Sequence, residues 1–179
     1  MAEVIDIRKT DFDEDFRRKV RALLDSAKRE VVIITGEGSS FGFLDLRSAT
    51  ERAIERGVRV SVYTTNPVPE FLNKSLMLGC KVYQGKETAR DHFFVVDGRD
   101  WVASKEHPPK LAGERYGRVH LNDRKGAKEI LSDFSQLIEK AKRVKTLSWD
   151  SDPLVWAIKH PESWGMKTDA KKFREEMFG

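Results

Sequence analysis

Thr88–Pro109 reads TARDHFFVVDGRDWVASKEHPP, and the way this stretch is punctuated decides the fold. Two short apolar runs, Phe93 to Val96 and Trp101 to Ser104, flank Asp97-Gly98-Arg99-Asp100. Asp-Gly between such runs predicts a hairpin, because glycine accepts the positive φ that the turn requires. Residues two apart on a strand share a face, so Arg90 and His92 are expected to point into the same space. Lys105, Glu106, His107 and His120 are expected close by on neighbouring elements. Arg, His and Lys together hold an anion through charge-assisted hydrogen bonds.

Upstream, the chain alternates helical and strand patterns. Val4, Ile5 and Ile7 mark an arm or an edge segment. Asp11, Asp13, Glu14 and Asp15 load the start of a helix with negative charge, which favours its positive dipole end. Phe16, Val20, Leu23, Leu24 and Ala27 then recur at helical spacing. Val31 to Ile34 is a continuous β-branched run, as expected of a strand covered on both faces. It ends in Thr35-Gly36-Glu37-Gly38-Ser39-Ser40, which matches neither GxxxxGK[ST] nor GxGxxG and reads as a strand-to-helix turn. Ligands in open α/β sheets sit outside the carboxyl ends of strands, so Glu37, Ser39 and Ser40 are candidate pocket lining.

A second helix is expected from about Leu44 to Arg56, closed by Gly57, with Leu46, Ala49, Ala53 and Ile54 inward. Val58, Val60 and Val62 begin a strand, Pro69 opens a third helix carrying Phe71, Leu72, Leu76 and Met77, and Cys80 to Tyr83 is a further strand. This order predicts parallel pairing with crossover connections. Downstream of the hairpin, Val119-His120-Leu121 reads as a last short strand. Asn122 or Asp123 caps a long helix whose buried stripe is Ala127, Ile130, Leu131, Phe134, Leu137, Ile138 and Ala141. Lys140, Lys142, Arg143 and Lys145 are expected to crowd its negative end. The fold class is α/β: a central mixed, mostly parallel sheet with helices on both faces. Residues 1–148 form the domain, and residues 149–179, with three of the four tryptophans and a basic helix, form a helical appendage.

The 179 residues suit one domain, which buries roughly 70 % of its unfolded surface. Thirty-three basic and 29 acidic residues are interspersed, which argues for a mixed-sign surface more than a dedicated polyanion groove. The charged composition also suits a thermophile. A lone cysteine, Cys80, excludes an internal disulfide and a cysteine metal cluster and points to a reducing compartment. No apolar run approaches the ~20 residues of a membrane span, so a cytoplasmic protein without membrane insertion is expected. No HxH or HExxH spacing supports a zinc site from His92, His107 and His120, and neither metal nor cofactor is expected.

From about Asp13 to Val144 the order of elements resembles one half of the phospholipase D superfamily. The motif of that family is His-x-Lys-x4-Asp-Gly on one hairpin strand and Gly-Ser with an amide residue on the next. A glutamate-bearing loop and a long helix with a central Phe follow. Asp97, Gly98, the apolar run before them, the Trp101–Ser104 strand, Glu114 and Phe134 fit. Aligned on Asp97, however, Arg90 stands at the nucleophilic His and His92 at the Lys. Ser104 and Lys105 replace Gly-Ser, and His107-Pro108 falls at the amide residue. With His92 as nucleophile instead, Phe94 occupies the Lys position and Asp97 comes two residues early. Neither register restores the motif.

The resemblance implies covalent phosphodiester cleavage in family members, with one His attacking phosphorus and another protonating the leaving group. A guanidinium with a pKa above ~12 has no lone pair to attack with. The resulting expectation is a non-catalytic module that binds an anionic ligand or a partner through Arg90, His92, Lys105, His107, Glu37 and Ser39. Family units carry two motif halves, so one half implies a homodimer. Two alternatives stand beside it. One is a phosphodiesterase or nuclease using His92 across the dimer. The other is a non-catalytic nucleic-acid-binding protein, motivated by a pI near 9.1 and the basic tail.

Overall fold

A computed structural model describes residues 2–7, 12–36, 44–65, 67, 69–87, 92–105 and 116–145. The elements are β1 (Glu3–Ile7), α1 (Phe12–Ser26), β2 (Glu30–Thr35), α2 (Leu44–Glu55), β3 (Arg59–Thr64), α3 (Pro69–Met77) and β4 (Lys81–Gln84). They continue with β5 (His92–Val96), β6 (Asp100–Lys105), β7 (Tyr116–Leu121), α4 (Arg124–Glu139) and β8 (Lys142–Val144). The strands form one mixed sheet in the order β1-β7-β6-β5-β2-β3-β4-β8.

β2 is the hinge between two pairing regimes. It runs parallel to β3, which runs parallel to β4. On its other side β2 is antiparallel to β5, and β6, β7 and β1 follow in antiparallel succession. β8 closes the far edge, antiparallel to β4. The sheet is therefore mixed, but not mostly parallel. Parallel pairing is confined to the strands joined by α2 and α3, because only a crossover helix returns the chain in the same direction. The hairpin at Asp97 joins β5 to β6 antiparallel, β7 follows antiparallel to β6, and β1 and β8 add antiparallel at the two edges.

β2 is apolar on both faces because both are covered. Val31 and Ile33 enter one core with Val20, Leu24, Leu46, Ala49 and Leu72 from α1, α2 and α3. Val32 and Ile34 enter the other with Ala127, Ile130 and Phe134 from α4. Each fully buried Val or Ile stabilises the fold by about 1.5–3 kcal/mol over its exposed state. Phe134 meets Tyr83 of β4 edge-on, with ring centroids 6.3 Å apart.

Several expectations shift locally. α4 stops at Glu139, and Lys142 to Val144 form β8 rather than crowding the helix end. Val82–Gln84 would otherwise present an open ladder, and pairing with β8 satisfies it. The strand containing Val119 to Leu121 is accordingly not the last. On α3 Leu72 is buried and Met77 is 75 % exposed. The acidic run at the first helix falls where expected by position, since α1 begins at Phe12 and Asp13 to Asp15 occupy its first turn, while Asp11 lies outside the described residues. Residues 149–179 lie outside the described residues. Among the described residues no helix is long and apolar enough to cross a membrane.

Candidate functional site

His92 opens β5 at the carboxyl end of β2. It is paired in register with Ser104 of β6, and the β2–β5 ladder, which sets Ile34 beside Phe93, brings Thr35 alongside it. Thr35 Oγ1 lies 3.0 Å from His92 Nδ1, and the Gly36 N–H donates to the same nitrogen at 3.3 Å. The Gly36 peptide is itself held in place. Its carbonyl accepts from Thr64 Oγ1 and from the Thr65 N–H.

A backbone N–H can only donate, so Nδ1 presents its lone pair and the neutral imidazole carries its hydrogen on Nε2. Nε2 in that tautomer donates a hydrogen bond and has no lone pair for attack. The arrangement suits an imidazole that grips an acceptor oxygen.

Asp97 anchors the other end of β5. It and Gly98 hold positive φ, at 54° and 63°, and the Arg99 N–H closes the turn on Val96 O at 3.0 Å. The side chain reaches well beyond the turn. Oδ1 accepts from the Arg29 and Glu30 N–H groups at 2.8 and 3.0 Å, and Oδ2 from the Lys28 N–H at 3.0 Å. Asp97 is thus a turn residue, as its place before glycine implied, but the backbone it bonds is distant in sequence, at the entry to β2. Burial works against its charge. The three backbone donors and the nearby Arg29 charge outweigh that cost and hold the carboxyl below the usual range.

A second polar corner lies beside α4. Trp101 and His120 stack face to face, with centroids 3.5 Å apart and planes 7° from parallel. Trp101 Nε1 donates to Asp123 Oδ2 at 3.1 Å, while Asp123 Oδ1 caps α4 by accepting from the Gly126 N–H at 3.0 Å. Burial pushes the His120 imidazole below its usual pKa, with Asp123 and Asp6 pulling it up and Arg118 pushing it down. Next to this corner Asp100, 3 % exposed, accepts from the Asn122 N–H at 2.7 Å and pairs with Arg99.

His120 does not join His92. Across β6 and β7, His120 pairs with Trp101 and Gly117 with Ser104, three positions further along. An odd separation places His92 and His120 on opposite faces of the sheet. That geometry removes His120 from the expected cluster and ends the idea of a zinc triad with His92 and His107. Among the described residues no group of three His, Cys, Asp or Glu could hold a metal ion.

Of the remaining expected site residues, Ser104 and Lys105 contribute their backbone to β6, opposite Gly117 and Tyr116. Arg90, Glu37, Ser39, His107 and Glu114 lie outside the described residues. Two partners of His92, Thr35 and Gly36, were missed. Thr35-Gly36 was visible as the end of β2, but only the pairing of β2 with β5 sets it against His92.

A parallel β2-β3-β4 half meets an antiparallel hairpin starting at His92, with α4 against the hairpin, and this is a fold like that of phospholipase D family members. Solved structures agree. Nuc from Salmonella typhimurium, a phospholipase D family member, superposes with a TM-score of 0.63 at 16 % identity, covering 82 % of this chain and 100 % of that one. NucT from Helicobacter pylori gives 0.61 at 12 % identity, covering 80 % and 100 %. TrmBL2, an archaeal chromatin protein whose structure shows a novel mode of DNA binding, gives 0.60 at 16 % identity, covering 79 % of this chain and 54 % of that one. No protein-family model matches the chain, and no curated protein matches it in sequence. At these identities the likeness is one of fold.

Proposed function

We propose that this chain is a phospholipase D-like domain that holds an anionic, phosphate-bearing ligand at His92 without cleaving it. The observation that carries the reading is the Gly36 N–H donating to His92 Nδ1, which puts the ring proton on Nε2, the tautomer that grips an acceptor oxygen and does not attack phosphorus. Arg90, Lys105, His107, Glu37 and Ser39 are the residues proposed to complete the grip. Arg90 would act as a bidentate partner to phosphate oxygens. Two copies pair in this reading, each bringing one half-site, and residues 149–179 pack on the domain or on a partner.

Hydrolysis of bis(p-nitrophenyl) phosphate is the first measurement, and no turnover is expected. Long-range nitrogen–proton NMR on the same protein is expected to show His92 as the Nε2–H tautomer. Turnover that disappears in His92→Ala would replace this reading with that of a phosphodiesterase using His92 as nucleophile.

A further inference from the structure

The edge of the sheet formed by β8 is unusually cationic for a chain of nearly balanced charge. β8 pairs with β4 alone, so its outer side is open among the described residues. Arg143 stands across from Tyr83 and Val144 across from Val82. The same register continued by one residue sets Lys145 across from Lys81. Arg143, Lys145 and Lys81 therefore share one face of the edge, while Lys142 points to the other. Lys81, Lys86, Lys142, Arg143 and Lys145 are all exposed or at the exposed rim.

None of these five cations forms an ion pair among the described residues. The neighbouring carboxylate, Glu87, is already engaged by Lys140 at 2.9 Å. Like charges directly opposite on neighbouring strands repel, so Lys81 against Lys145 costs stability that an external anion would offset. The opposite edge of the sheet, β1, carries Glu3 and Asp6 instead. Positive charge is thus gathered at one edge.

We infer that the β4–β8 edge is a docking surface for the phosphate backbone of duplex nucleic acid. Arg143 and Lys145 are separated by about 6.6 Å along a strand, and a duplex carries one charge per ~1.7 Å of axis. Each cation therefore meets its own phosphate. Single strands are gripped by bases stacking on exposed aromatic rings. The large hydrophobic side chains exposed among the described residues are Val4 and Met77, neither aromatic, so among the described residues no stacking platform accompanies the edge. The surface stands apart from His92 and does not depend on the reading of that site.

The test is fluorescence anisotropy of a short labelled DNA duplex with the full chain, titrated between about 50 and 200 mM salt. Lys81→Gln, Arg143→Gln and Lys145→Gln combined should weaken binding at least about tenfold and lower the log–log salt slope by about 2.7, at about 0.9 per cation. Lys125→Gln with Lys128→Gln, on the outer side of α4, should leave both unchanged. Should the triple variant fail to fold, Lys86→Gln with Lys145→Gln, outside the paired strands, is expected to show a slope lower by about 1.8. Unchanged slope and affinity in the edge variants overturn the inference, as does an equal loss in the α4 variant or no duplex binding by the parent chain. Altered oligomeric state with duplex binding intact would overturn it too, by making the edge an interface between copies.

Discussion

His92 Nδ1 stands 3.0 Å from Thr35 Oγ1, joining the start of β5 to the end of β2. Thr35 is buried, so its hydroxyl makes this contact away from bulk water. Thr35→Val keeps the side-chain shape and removes the hydroxyl. It should lower stability by about 1 kcal/mol, read as a shift of the urea midpoint. The Gly36 N–H remains, so the His92 tautomer seen by NMR should not change. A switch to the Nδ1–H tautomer would mean that Thr35, not Gly36, sets the ring.

Asp97 ties the hairpin turn to the entry of β2. Its folded pKa lies below the unfolded carboxylate value of about 3.9. The stabilisation it supplies is therefore fully present above that value and is lost as pH falls through the folded pKa. Asn tolerates positive φ, so Asp97→Asn spares the turn and removes the charge. We expect a loss of about 2 kcal/mol near neutral pH and a shallower decline of stability below about pH 4. Denaturant midpoints across that range provide the check.

Gly126 lies in α4, where alanine normally stabilises by about 1 kcal/mol. Here the sign should reverse. A Cβ at this position would stand 2.5 Å from Asp123 Oδ2 and 2.8 Å from Trp101 Nε1, inside the cap and the stack. Gly126→Ala should destabilise by about 1–3 kcal/mol and alter the near-UV circular dichroism of Trp101. An increase in melting temperature would show that the corner yields without cost.

His120 is held neutral against Trp101 by burial, and its folded pKa is depressed below 6.5. The unfolded chain takes up the proton first, so stability from this group is present above 6.5 and is lost as pH falls toward the folded pKa. His120→Gln should flatten that slope between about pH 5 and 6.5. Urea midpoints measured for both proteins across the window test it.

Cys80 is buried, and burial pushes its thiol up to about 12. The thiolate is the reactive form, so the native protein should resist a disulfide reagent at neutral pH and react at once in denaturant. Rapid labelling of the native chain would mean that the β4 end of the core opens readily.

The hairpin was legible because Asp97-Gly98 is a local signal: two residues at positive φ need that chemistry whatever surrounds them. The Asp123 cap and the buried stripe of α4 were legible for the same reason. β8 was not, since Lys-Arg-Val carries no strand pattern and pairs only because β4 leaves its ladder open. The partners of His92 were equally hidden, 57 residues away along the chain at Thr35.

By itself the sequence determined the elements other than β8 and the faces they bury, because turn chemistry and apolar spacing act over a few residues. It also determined that no register restores a His-x-Lys-x4-Asp-Gly motif. Only the tertiary structure decided which strands run antiparallel, which face His120 takes, and which nitrogen of His92 is occupied. Those outcomes depend on β2 lying between β3 and β5, a pairing set by the closing of two cores around one strand.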